Sequence, residues 1–186
     1  MSKCATFLVL LLLASLAPDA GALTVVEAYQ AIPHNRTVFD VQASKLSAAH
    51  TDALRKLFEL SDRGIVLRVE GLRAFWSGTN NDIQSVLSGY RALATALSSL
   101  QAPADIKPAQ DLVLQSIQLH QRYFEAKLRE KESGAKVDLA YRQNQDVNQA
   151  SQKLQTAYGV LMRSFPNEPT VNRQAFYDYL CALDFL

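Results

Sequence analysis

The sequence predicts an all-α fold, an antiparallel up-down four-helix bundle carrying an N-terminal strap and an additional C-terminal helix. Three observations carry that prediction. Glycine and proline are scarce, at 7 and 6 of 186 residues, β-branched alternation is absent, and apolar residues recur at spacings of three and four from about residue 44 onward. The elements follow in chain order.

Residues 1–22 read as a secretory signal. Lys3 precedes an apolar run from Phe7 to Leu16, Pro18 breaks it, and Ala20-Gly21-Ala22 supplies small residues at the cleavage site. The run is short for a bilayer span, and Cys4 lies ahead of the apolar core, so neither an anchor nor a lipoprotein cysteine is expected. The mature chain is therefore expected to be exported and soluble, periplasmic in a bacterial host and secreted otherwise.

Removing 22 of 186 residues leaves 164, one domain of ordinary size. The loss of Lys3 and Asp19 leaves the net charge at +1, too balanced for a nucleic-acid or anionic-membrane binder. Cys181 alone remains of the two cysteines, so no internal disulfide forms; it reads as a small buried hydrophobe or, alternatively, as the link of a dimer. Asn35-Arg36-Thr37 is a glycosylation sequon, meaningful only in a eukaryotic host.

Residues 23–43 form the strap. Thr24-Val25-Val26-Glu27 matches a capping box that opens a short helix, and Pro33 closes it by disfavouring helical dihedrals at Ile32. The bundle occupies residues 44–186. Its first helix covers about 44–76 on a stripe running from Leu46 through Leu57, Ile65 and Leu72 to Trp76, with a kink or break expected at Gly64. Thr79-Asn80-Asn81-Asp82 is a second capping box, and Ile83, Val86, Tyr90, Leu93, Leu97 and Leu100 mark the second helix. Pro103 and Pro108 frame a turn into a third helix through Val113, Ile117, His120, Phe124 and Leu128, which Ser133-Gly134 ends. The fourth carries Val137, Ala140, Asn144, Val147, Leu154, Tyr158, Leu161 and Phe165, its Gln/Asn-rich run facing solvent. Thr170 or Asn172 caps a last helix whose aromatic residues, Phe176, Tyr177, Tyr179 and Phe185, spread around more than one face.

Counting residues back from each turn at equal rise places His120 opposite Leu87 and Asn148, with Asn144, Tyr90 and Glu70 nearby. The same count lets the hairpin at 126–143 protrude, and leaves apolar surface near Leu46 to Leu57 for the strap and last helix to cover.

No haem-attachment, zinc-protease, phosphate-loop, nucleophile-elbow or calcium-loop pattern is present, which removes the familiar enzyme classes that carry them. The expectation is a protein that acts by binding, either a partner protein or a small ligand between its helices. The low-specificity candidate site is the polar layer His120, Asn144, Asn148, Tyr90 and Glu70, where burying such groups is costly unless they bond one another. The same layer also reads as a device that sets helix register. His34 and Arg36 on the strap are candidates to hold an anion or a partner carboxylate. The alternative is a metal or b-type haem protein using His50 with Met162, or His120 with Glu70; the third is an enzyme with an unrecognised site around His120. No cofactor is expected in the leading reading.

Overall fold

The computed structural model describes residues 23–30, 36–77, 79–137 and 140–181, and the expected signal at 1–22 lies outside them. Among the described residues every regular element is helical: α1 Val25–Gln30, α2 Ala48–Ser77, α3 Asn80–Ser99, α4 Lys107–Glu132, a 3₁₀ turn Tyr141–Gln143, α5 Gln145–Ser164 and α6 Thr170–Cys181. In the packing, α2 lies on α3, α3 on α4, α4 on α5 and α5 on α6, while α1 and α6 both return to α2.

Local chemistry accounts for the boundaries. At Thr79 the hydroxyl accepts from the Asp82 N–H while the Asp82 carboxylate accepts from the Thr79 N–H, so two orphan donors of the first turn are satisfied reciprocally. Thr24 and Glu27 make the same exchange ahead of α1. The end of α4 is a Schellman motif: Gly134 N–H donates to Lys131 O and Ala135 N–H to Glu130 O. This requires positive φ at Gly134, observed at 76°, where a side chain would be strained.

One expectation about helix boundaries is narrowed and another corrected. α2 runs unbroken through Gly64, which removes the break of the two alternatives, and the glycine serves spacing: a Cβ there would lie 2.8 Å from Ile117 Cδ1, so the glycine lets α4 approach α2 closely. Gly71 does the same against the ring of Phe124. The fourth helix begins at Gln145 rather than near Val137, about two turns late. Asn144 turns extended there and its side-chain oxygen accepts from the N–H groups of Asp146 and Val147, capping α5. The chain before it folds back as the 3₁₀ turn and buries Tyr141. The expected hairpin therefore loses those turns on its α5 side.

α2 outruns α3 by ten residues, about 15 Å. Its surplus apolar surface is covered as the counting predicts: Phe58 meets Phe39 of the strap at 5.7 Å and Phe176 of α6 at 6.0 Å, and stacks on Tyr179 at 4.5 Å. Trp76, placed on the core stripe by its spacing, is instead 75% exposed, and Phe75 takes the inward position by stacking on Phe124. Phe176 and Tyr179 of α6 are buried, and Phe185 lies outside the described residues.

Residues 36–43 of the strap form neither helix nor strand, so their amides need outside partners. Buried polar side chains on and before α6 supply them. Asp178 accepts from Thr37 N–H at 2.7 Å, Asn172 accepts from Asp40 N–H at 2.7 Å and donates to Asp40 O at 3.0 Å, and Glu168 accepts from Lys45 N–H at 2.8 Å. These contacts explain why three polar residues are buried where the pattern offered only apolar ones.

Candidate functional site

The sequence-predicted layer divides on inspection. His120, from the apolar face of α4, is 1% exposed, and Tyr90, from α3, is fully buried. Asn148 faces outward, exposed on α5, and Asn144 is spent as that helix's cap. Glu70 is half-buried on α2, where its carboxylate accepts from Leu23 N–H at 3.0 Å and holds the start of the strap. The level count fails on the α5 side because that helix starts late and the 3₁₀ turn comes between.

Two residues that were not expected replace them. Arg68 of α2 is 4% exposed, inside the apolar run Ile65, Val66, Leu67 and Val69, and its guanidinium sits 4.5 Å above the ring of Tyr141. Tyr141 stacks alongside His120, with its hydroxyl 3.3 Å from His120 Nδ1, and packs edge-on to Tyr123 at 5.0 Å. Phe124 closes the cluster against Tyr90 at 5.6 Å. No ion pair joins Arg68 to a carboxylate among the described residues, and its Nε has no hydrogen-bond partner among them. Tyr90 Oη, His120 Nε2 and Ser116 Oγ, the last one turn before His120 on the same face of α4, are likewise without partners there.

Electrostatics follow from this burial. Loss of water, reinforced by the Arg68 cation, holds the imidazole of His120 well below its ordinary value, so the ring is neutral near pH 7. Burial pushes the phenols of Tyr90 and Tyr141 well up, against the pull of Arg68, so both keep their protons. The cluster thus combines one fixed cation with neutral polar groups. Arg68 carries a weak sequence signal, a charge inside an apolar run; Tyr141 carries none, because Val137, Ala140, Asn144 and Val147 keep helical phase although α5 begins only at Gln145.

The strap holds a second arginine, half-buried. His34 lies outside the described residues, as does Asn35 of the sequon. Arg36 makes a close ion pair with Asp62 of α2, lies 5.1 Å and 5.2 Å from the ring centres of Tyr29 and Tyr179, and shares Asp62 with the Tyr29 hydroxyl, which donates to it at 3.1 Å. Burial raises the Asp62 carboxyl above its ordinary value, with Arg36 and Tyr29 opposing.

The remaining candidates have other occupations. His50 Nε2 lies 3.0 Å from the Asp105 carboxylate and Nδ1 2.6 Å from Ser47 Oγ, so both ring nitrogens are engaged; Met162 is partly buried against the core. Among the described residues no group of three or more His, Cys, Asp or Glu is placed to hold a metal ion. Cys181 is buried, and no helix among the described residues is long and apolar enough to cross a membrane. No protein-family model, no curated protein and no solved structure matches this chain.

Proposed function

We propose that this chain is an exported binding protein that holds a small anion, carboxylate or phosphate in chemistry, between its helices at Arg68. In this reading residues 1–22 direct export to the periplasm of a bacterium or out of another host. Residues 23–43 strap an up-down four-helix bundle that, with its extra helix, occupies 44–186. The carrying observation is Arg68: a buried arginine that makes no ion pair with a carboxylate among the described residues and whose Nε has no hydrogen-bond partner among them. An uncompensated buried charge is destabilising, and an anion supplied from outside is the direct compensation.

The surrounding groups suit that occupant. With the Tyr141 hydroxyl donating to Nδ1, the neutral ring of His120 carries its proton on Nε2. Arg68 Nε, His120 Nε2 and the protonated Tyr90 hydroxyl then offer three donors, the complement of an oxyanion. A metal cation has the opposite requirement.

The test is native mass spectrometry of the mature protein recovered from its own exported compartment, beside the Arg68→Met variant. A small bound mass on the wild type that Arg68→Met lacks supports the reading. A bare chain mass for both, or the same added mass on both, refutes it.

A further inference from the structure

A separate feature lies on the outer surface, away from the buried layer. The helices α3, α4 and α5 enclose a groove of about 610 Å³, within the size range of ligand clefts. Its floor is Leu119 and Ala94, and three cations border it: Arg91 from α3, Arg122 from α4 and Lys153 from α5. The rest of the lining is carboxamide, with Gln115, Gln118 and Gln121 in succession along α4 and Gln149 opposite on α5. No carboxylate lines it. Glu125 and Asp146 are not in the lining: Glu125 accepts from Arg91 at 3.4 Å and from the Gln121 amide at 2.9 Å, Asp146 holds Arg122 at 2.8 Å, and Lys153 has no ion pair among the described residues.

We propose that this groove binds an extended acidic peptide segment of a partner protein. A glutamine amide offers two donors and an acceptor, as the peptide group offers one of each, so a row of carboxamides can pair with a backbone laid along it. From Gln115 to Arg122 the row rises about 10 Å, the length of about three residues of extended chain. The three cations, on three different helices, stand where acidic side chains projecting to either side would meet them. The lining decides against other anionic polymers: it contains no aromatic ring on which a nucleobase or the face of a sugar could stack. Four amides also make a poor lining for an isolated inorganic ion.

The experiment measures fluorescence anisotropy with a labelled peptide of alternating glutamate and glycine. An alternating glutamine and glycine peptide and a sulfated oligosaccharide serve as comparators. Binding of the glutamate peptide that falls with added salt, and weakens about tenfold or more in the Arg91→Glu, Lys153→Glu double variant, supports the assignment. Both substitutions are on the surface, and unchanged circular dichroism verifies that the variant is folded. Equal binding of the uncharged peptide, binding of the oligosaccharide alone, or indifference to the double variant overturns it. The groove lining shares no residue with the buried layer, so the two are tested by separate variants.

Discussion

Two arginines are drawn into the body of this protein, and they are treated in opposite ways. Arg36, on the strap, meets the Asp62 carboxylate, which also accepts from Tyr29, and two aromatic rings flank the guanidinium. Arg68, on α2, meets the face of Tyr141 and a neutral histidine, with no carboxylate among the described residues. The first arrangement is electrically complete and joins strap, α2 and α6 into one lock. The second has no such counter-charge, and an unpaired buried charge works against folding. In the proposed reading the contrast separates a structural arginine from one that awaits an external anion.

The largest expected effect comes from breaking the complete pair. Asp62→Ala leaves Arg36 partly buried without its counter-charge and removes the acceptor of Tyr29, and it should cost about 3 kcal/mol of unfolding free energy. Chemical denaturation measures the loss. Faster proteolysis of the strap in the folded protein shows where it falls.

Acid sharpens the comparison from the other side. His120 beside Arg68 stays neutral in the folded state below the ordinary imidazole value of 6.5, whereas the unfolded chain takes up that proton. The unfolded state therefore binds more protons in this window, and stability falls as pH drops below about 6.5. Asp62 contributes with the opposite sign closer to its ordinary value of 3.8, because its folded carboxyl holds a proton more readily than the unfolded one. Between pH 7 and pH 5 the denaturation midpoint should fall in the wild type and fall less in His120→Gln. Equal slopes would detach His120 from the acid response.

Much of the frame was legible because it is written in local chemistry. The reciprocal Thr79 and Asp82 bonds, the Thr24 and Glu27 pair and the glycine at position 134 depend on neighbours a few residues away, and each sits where its pattern places it. Gly64 was legible only in part, for a physical reason: a missing side chain weakens a helix and also admits a close neighbour, and only the three-dimensional packing reveals the neighbour. The candidate layer was half legible. His120 and Tyr90 are buried as their stripes imply, but Asn144 preferred to cap α5, which moved Asn148 outward and let Tyr141 take the inner position. Arg68 escaped because a long cationic side chain inside an apolar run reads equally well as one that reaches solvent.

The measurement that bears most directly on the contrast is the unfolding free energy of Arg68→Met, in purified protein free of added anions. Methionine keeps much of the apolar volume of the arginine stem and removes the charge. If Arg68 lacks a counter-charge within the chain, the variant should be as stable as the wild type or more stable by about 1 kcal/mol. A loss as large as that of Asp62→Ala would contradict the account, because it would show that Arg68 is compensated within the protein and is a second structural lock.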